Sequence, residues 1–376
     1  MHVGNAIIFQ HPDGNDGDQS GDAGVYETEY KLADRVESLG FDSLWSVEHH
    51  FNGYAMCPDP LKFLTYFAGR TSRVKLGSMV VVSPWHDPIR VAEDSSVLDI
   101  ISGGRNILGI GRGVSKLEFD GFRLNMADSR QALIENTEAT LMGLEKGYIE
   151  YQGEIVKQPK VLIRPGPIRS FNNRLYMSAQ SPESFPIMAR LGAGLLFIPG
   201  NRPFDVLAGE LVEYRRLFRE THKREAPPPI FVGWTFVDED PVRAREMGLE
   251  RINRYSKNAF NHYMAGGDHM KGLKGYESYA KTAEVEKKTG VTQDDSANKW
   301  TENHVFGTPD QCVEKIIETQ KKLGAAAFLA VFNYAGLGEA EAARNQALFA
   351  EKVLPRVKAY EPTLDIGLPV LAEAAE

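Results

Sequence analysis

Two adjacent histidines, His49 and His50, are the residues best placed to do chemistry. They follow an apolar run, 41–47, that begins directly after Gly40 and predicts a strand. Both imidazoles therefore lie where a strand gives way to a loop. In proteins of alternating strands and helices, the carboxyl ends of the strands gather on the face that carries the chemistry. The position indicates a catalytic acid or base, although Glu48 and the two histidines could instead cap the strand and satisfy loop carbonyls.

Polar groups also follow the fourth and fifth predicted strands. Arg112 lies in a glycine-flanked turn, and Gln180, Ser181 and Ser184 surround the start of a predicted helix. We expect Ser181 to cap that helix and Pro182 to be its first residue. Free backbone amides, hydroxyls and a guanidinium together suit a bound phosphate. The simpler alternative is an ordinary helix cap and a surface arginine.

Strand-like and helix-like segments alternate almost throughout the chain. Thr308, Pro309 and Gln311 form a capping-box pattern at the start of one helix. No linker rich in proline, glycine or serine interrupts the alternation, which predicts one (β/α)8 TIM barrel over 1–376. The eight predicted strands are 3–9, 41–47, 74–82, 106–110, 175–179, 195–198, 230–237 and 325–332.

Two segments exceed a minimal barrel. Residues 264–303 are charged and dotted with glycine, and a connection of this length predicts a mobile lid near the carboxyl-end mouth of the barrel. The loop 11–24 partly matches the spacing of a calcium loop, but no helix precedes it and its residue types are those of any exposed turn. We therefore favour a turn. The matching residues are Asp16, Asp18, Ser20, Gly21 and Glu27.

Composition excludes several classes of partner. The formal net charge is −8 and no stretch concentrates lysine and arginine, which argues against a nucleic-acid partner. No apolar run approaches the ~18 residues of a membrane span. The N-terminus lacks a signal-peptide pattern and only Cys57 and Cys312 are present, so we expect a cytoplasmic protein. Cys312 falls on the apolar side of a predicted helix and should be buried, whereas Cys57 follows the histidines and could be nearer the site.

The chain resembles the bacterial luciferase-like, flavin-dependent monooxygenases. The similarity consists of several blocks in the same order, which together span nearly the whole chain and are more specific than any single motif. These blocks favour the interpretation of His49 as an active-site residue over its interpretation as a structural cap of the strand. The blocks are FDSLWSVEHHF at 41–51, the segments 75–84, 87–94 and 98–105, GIGRG at 109–113 and VFGTP at 305–309.

The resemblance implies a TIM barrel that takes reduced FMN from a separate flavin reductase. In such enzymes dioxygen reacts with the reduced flavin to give a flavin hydroperoxide, which oxygenates a small organic substrate. A homodimer is also implied. Light emission itself is not supported, because Met79 and Val80 replace the small residues of luciferases and Gln180 replaces an acid.

The resemblance also assigns site residues. His49 would act at the flavin, with His50 as its catalytic neighbour, and a cis peptide between Met79 and Val80 would support the isoalloxazine ring. Trp85, Phe122, Trp234 and the segment 264–303 would shape the substrate pocket. The flavin phosphate would be held by Arg112, Gln180, Ser181 and Ser184.

Three other functions fit parts of this pattern. A deazaflavin-dependent oxidoreductase of the same fold would transfer hydride without oxygen, but a base beside the flavin favours the oxygenase. A non-catalytic flavin-binding protein would lack His49. A metal hydrolase could use His49 and His50 as ligands, but adjacent strand residues point to opposite faces, so we expect no metal there.

Overall fold

The computed structural model describes residues 1–11, 18–263 and 268–361. Within them, strands of the main sheet are short and almost completely buried, as expected of strands covered on both faces. The strands in chain order are β1 (His2–Ile7), β2 (Ser43–Ser46), β3 (Lys75–Ser78), β4 (Val81–Val82), β5 (Asn106–Gly111), β6 (Tyr148–Gln152), β7 (Lys157–Leu162), β8 (Leu175–Ser178), β9 (Gly194–Phe197), β10 (Ile230–Val237), β11 (Val305–Gly307) and β12 (Ala327–Val331).

Eight of these strands close into a parallel barrel. The order is β1, β2, β3, β5, β8, β9, β10 and β12, and β12 pairs back with β1. The predicted (β/α)8 barrel is therefore confirmed. In such a barrel every strand ends at the same mouth, so residues far apart in sequence meet there.

Helices surround the barrel and several begin at recognisable caps. Asp59 and Asp87 accept hydrogen bonds from backbone amides of the first turn, each with proline at the first helical position, and Thr308 and Gln311 form the expected capping box. The helices are α1 (Asp22–Asp34), α2 (Pro60–Ala68), α3 (Pro88–Ile101), α4 (Lys116–Phe122), α5 (Ser129–Lys146), α6 (Ser184–Leu191), α7 (Phe204–His222), α8 (Pro241–Tyr263), α9 (Glu277–Thr289), α10 (Gln293–Glu302), α11 (Pro309–Leu323), α12 (Glu339–Lys352) and α13 (Leu354–Ala359).

The antiparallel hairpin β6–β7 does not appear among the predicted strands. Glu135 of α5 closes its turn, because the carboxylate accepts hydrogen bonds from the backbone amides of Glu154, Ile155 and Val156 at 2.7–2.8 Å. Those strands are mostly exposed, so they carry little of the apolar signal that marks the barrel strands. The hairpin thus depends on a tertiary contact.

Both cysteines are buried free thiols, as predicted for Cys312. Burial raises the pKa of the Cys57 thiol to about 12, which makes it a poor nucleophile. Asp16, the first residue of the calcium-like pattern, lies outside the described residues. Among the helices that the structure does describe, none is both long and apolar enough to cross a membrane.

Arg105 ties the loop before β5 to the neighbouring strand-helix unit. All five of its N–H groups donate hydrogen bonds, at 2.6–2.9 Å, to oxygens of Ala68, Thr71, Val74 and Ser102. Arg105→Lys keeps the charge but offers at most three donors without the fixed fork, so several buried carbonyls lose partners. We expect a loss of about 1–2 kcal/mol in the free energy of unfolding, measured by urea denaturation.

The matched control is Arg245→Lys. This arginine is exposed, and its one ion pair with a described residue is with Glu302 at 3.4 Å, so the same substitution should change stability very little. An equal loss in the two variants would contradict the role assigned to Arg105.

Candidate functional site

His49 lies just beyond β2 at the carboxyl-end mouth and is held by a buried carboxylate. Its Nδ1 is 3.0 Å from Oε1 of Glu118, on α4, and its Nε2 is 3.3 Å from the hydroxyl of Tyr263, at the end of α8. Because an ionised carboxylate only accepts, Nδ1–H donates to it, and the lone pair of Nε2 can accept a proton or a hydrogen bond from the Tyr263 hydroxyl. This is the arrangement of an oriented general base.

A third group, His262 of α8, shares the same carboxylate. Its Nε2 is 3.5 Å from Oε1 of Glu118, and its Nδ1 contacts the side-chain amide of Asn52. Burial would raise the pKa of Glu118, but His49 and His262 outweigh it and lower that pKa to about 2. Burial lowers the pKa of His262. The site therefore holds an anionic carboxylate between two imidazoles.

His50 belongs to a second cluster, built around the buried Glu48. Oε1 of Glu48 accepts hydrogen bonds from Nε2 of His50 at 3.1 Å and of His86 at 2.7 Å, while Oε2 accepts from the amide of Val82. The backbone amide of His50 also donates to Glu118 at 2.8 Å. His49 and His50 lie beyond the end of the strand, and their rings contact different carboxylates.

Aromatic rings line both sides of the two clusters. Trp85 and Phe122 stack with ring centroids 5.5 Å apart, and Phe122 meets the His50 ring edge-on at 4.7 Å. On the other side, Tyr54 lies 4.9 Å from the His49 ring. The third predicted pocket residue, Trp234, is buried in an aromatic group with Tyr255 and Trp300, and the Tyr255 hydroxyl joins that group to the hydroxyl of Tyr54 at 2.6 Å. The walls near the histidines suit a planar, largely apolar ligand.

The Met79–Val80 peptide is cis, as the resemblance implied. The amide of Met79 donates to the carbonyl of Ser46 at 2.7 Å, and Val80 packs against Gly111 of β5. A Cβ on Gly111 would lie 2.4 Å from Cγ2 of Val80, so glycine is required for this close approach. The cis peptide thus stands at the barrel mouth between β3 and β4.

Arg112 is joined by a second arginine that the sequence reasoning missed. Arg112 Nη1 and Arg130 Nη2 both donate to the carbonyl of Gly275, at 2.5 and 3.0 Å, and the Arg112 guanidinium lies 3.9 Å from the centre of the Tyr276 ring. Within the part of the chain that the structure describes, neither arginine forms an ion pair. The backbone amide of Gly275 and the two guanidiniums lower the pKa of Glu277, so this carboxylate lies nearby and a bound dianion would compete with it for the two positive charges.

The start of α6 differs from the prediction. The helix begins at Ser184 and its N-cap is Glu183, so Ser181 is not the cap and Pro182 is not the first helical residue. The physical reason is a tight turn, in which the amide of Ser184 donates to the carbonyl of Ser181 at 3.0 Å. The two serine hydroxyls are 3.0 Å apart, and the Gln180 side chain donates to Ile198.

The described part of the insertion, 268–303, reaches this region. Met270 and Tyr276 pack with Phe119 and Met126, which follow β5, in a small apolar cluster. Burial raises the pKa of Tyr279, on α9, against the lowering effect of Arg112 and Arg202, so the insertion lies close to those guanidiniums. Whether the insertion moves stays a prediction.

Sequence reasoning found His49 and Arg112 but missed Glu118, His262 and Arg130. A signal existed for Glu118, because an acid shortly after the glycine-flanked arginine turn must lie at the same barrel mouth. No comparable signal marks His262 or Arg130. They reach the site from helices whose orientation only the folded structure defines.

The chain is similar in sequence to a family of known enzymes. The model of the family described as luciferase-like monooxygenase matches residues 1–327. The oxygenase component of a flavin-dependent trigonelline monooxygenase from Acinetobacter baylyi is 28% identical over 62% of this chain and 66% of its own. The first relatives are thus matched over about half to two thirds of their own length.

Longer matches exist in sequence and in structure. An alkanal monooxygenase alpha chain from Photorhabdus luminescens is 25% identical over 97% of this chain and 99% of its own. Among solved structures, the monooxygenase RslO1 from Streptomyces bottropensis superposes with a TM-score of 0.76 over 94% of this chain and 99% of its own, at 24% identity. That likeness supports the barrel fold.

Proposed function

The chain belongs to the luciferase-like monooxygenase family, and from this premise we propose that it is the oxygenase component of a two-component flavin system. It would take reduced FMN from a separate flavin reductase and use dioxygen to oxygenate a small organic substrate. The observation that most supports this proposal is the pairing of His49 with Glu118 at the same barrel mouth as Arg112 and Arg130, which form no ion pair with any described residue.

The arginine pair is suited to the FMN phosphate. A phosphate would give Arg112 and Arg130 an anionic acceptor in place of the Gly275 carbonyl, and the hydroxyls of Ser181 and Ser184 can donate to its remaining oxygens. The main chain at Met79–Val80 would then support the ring system, and Gln180 would border the phosphate. When bound, reduced FMN supplies the two electrons that activate dioxygen.

His49 would act as the general acid or base of the oxygenation step. Its Nε2 can take a proton from the substrate or return one to the developing product, while Glu118 stabilises the imidazolium that forms. His50 and Glu48 would hold the loop that carries His49, since the amide of His50 also binds Glu118. The aromatic walls would exclude water from the reacting atoms.

One experiment separates this function from its alternatives. The protein is combined with a flavin reductase, FMN and a panel of aldehydes, cyclic ketones, sulfonates, terpenes and trigonelline under ¹⁸O₂. The proposal expects one ¹⁸O atom in a product. Reduction of a substrate by a reduced deazaflavin without oxygen would favour a hydride-transfer enzyme, and FMN binding without either turnover would favour a non-catalytic flavin-binding protein.

Glu118→Gln should lower kcat for oxygenation about tenfold, because the amide cannot stabilise the imidazolium of His49. FMN affinity should not change, since among the described residues Glu118 forms no hydrogen bond or ion pair with either arginine. The measurement is the rate of product formation at saturating substrate, which gives kcat, together with FMN binding by fluorescence. Asp120→Asn, at an exposed position of the same helix, is the matched control, and equal kcat values in the two variants would contradict this role of Glu118.

A further inference from the structure

His49, Glu118 and His262 have the composition of a metal site. They supply two imidazole nitrogens and a carboxylate oxygen, all within 4.8 Å of one another. The carboxylate Oε1 is 3.0 Å from Nδ1 of His49 and 3.5 Å from Nε2 of His262. Ligands about 2.0–2.1 Å from a tetrahedral Zn²⁺ lie roughly 3.3–3.4 Å from each other, so these two spacings bracket the required value.

Each of the three groups also has an outer partner of the kind that metal ligands use. Nδ1 of His262 lies 2.9 Å from Nδ2 and 3.2 Å from Oδ1 of Asn52, and it donates to this side chain when the amide is turned so that its oxygen faces the ring. Nε2 of His49 can donate to the hydroxyl of Tyr263 at 3.3 Å. Glu118 accepts from the amide of His50. Partners of this kind fix which imidazole nitrogen is free to bind an ion.

Two buried atoms of this cluster lack a close hydrogen bond among the described residues, since the contact of one of them with Oε1 of Glu118 is as long as 3.5 Å. They are Nε2 of His262 and Oε2 of Glu118, on side chains that are each 1% exposed. Nε2 of His262 faces the Glu118 carboxylate, so it points into the space between the ligands. Buried polar atoms without partners are unusual, and a bound cation would satisfy both.

We propose that His49, Glu118 and His262 bind a divalent transition metal ion of the Zn²⁺ type, and that this ion inhibits oxygenation. Adjacent residues such as His49 and His50 cannot easily bind one ion together. In the folded chain, however, Glu118 and His262 lie beside His49 and supply the other two ligands. Partial exposure of His49 leaves a fourth position open to water. An ion bound to Nδ1 of His49 forces the ring proton onto Nε2. Because Nε2 is the proposed base, His49 cannot bind the ion and act as a base at the same time.

Binding is tested first without flavin or substrate. Untagged protein in metal-free buffer is titrated with Zn²⁺ against a chromophoric chelator, and with Co²⁺ followed by visible absorbance. We expect one equivalent per chain, removed by EDTA, and Co²⁺ bands typical of four or five ligands. His49→Ala and Glu118→Gln should each weaken Zn²⁺ binding at least tenfold, whereas His86→Ala, which removes an imidazole from the Glu48 cluster, should retain it.

His49 is the least buried ligand, so its alanine variant is the one most expected to fold, and the Co²⁺ spectrum of the wild type needs no variant at all. The metal site is refuted if wild type binds Zn²⁺ no more tightly than His49→Ala does, or if wild type with Co²⁺ gives no such spectrum.

The inhibition rests on the proposed function. Zn²⁺ should abolish product formation at the concentration that fills the site while FMN still binds; binding without inhibition overturns that part.

Discussion

Replacing His49 by alanine should reduce product formation by about 10²–10⁴-fold, the usual contribution of a positioned proton donor or acceptor. Flavin binding should persist, because the imidazole contacts Glu118 and Tyr263 and, among the described residues, forms no hydrogen bond with either arginine of the proposed phosphate site. Reduced FMN would still react with oxygen, so the reducing equivalents should appear as hydrogen peroxide. The measurement is product and hydrogen peroxide formed per reduced flavin consumed.

Two other histidines make this result specific. His86→Ala removes an imidazole that binds Glu48 and has no contact with Glu118, so coupling should stay near the wild-type value. His50→Ala should have an intermediate effect, because the His50 side chain contacts Glu48 while its backbone contacts Glu118. If all three variants couple oxygen to product as the wild type does, His49 is only a residue at the end of a strand.

The barrel could be predicted because its strands are buried on both faces. β10 contains eight consecutive buried residues, which gives a nearly continuous apolar run, and α11 begins at a capping box formed by Thr308 and Gln311. The hairpin β6–β7 lacked such a local signal, since its closure depends on Glu135 from another element. Elements with a local sequence pattern could therefore be predicted, whereas an element that forms through contact with a side chain distant in sequence could not.

The same distinction applies to the candidate site. His49 and Arg112 follow strands directly, and strand ends must meet at the barrel mouth whatever the helices do. His262 and Arg130 approach from α8 and α5, so their positions depend on how those helices pack. The start of α6 was misplaced because Ser-Pro favours a helix cap, whereas Ser181 bonds to Ser184 in a preceding turn.

Arg112→Ala should weaken FMN binding by about 1.5–3 kcal/mol, which is roughly 10- to 150-fold in the dissociation constant. The guanidinium is expected to form charge-assisted hydrogen bonds with the phosphate that neither Arg130 nor the serine hydroxyls can replace. Riboflavin has no phosphate, so its affinity should be the same in variant and wild type. Fluorescence quenching with FMN and riboflavin, at matched ionic strength, measures the difference.

Two further variants separate phosphate binding from a general loss of positive charge. Arg123→Ala removes an exposed arginine at the end of α4 and should leave both affinities unchanged. Arg112→Lys keeps the charge but loses the planar fork, so its FMN affinity should fall between those of alanine and wild type. An Arg112→Ala variant that binds FMN as tightly as wild type would refute the phosphate assignment. A parallel loss for riboflavin would show that the arginine supports the fold of the insertion through Gly275 and Tyr276.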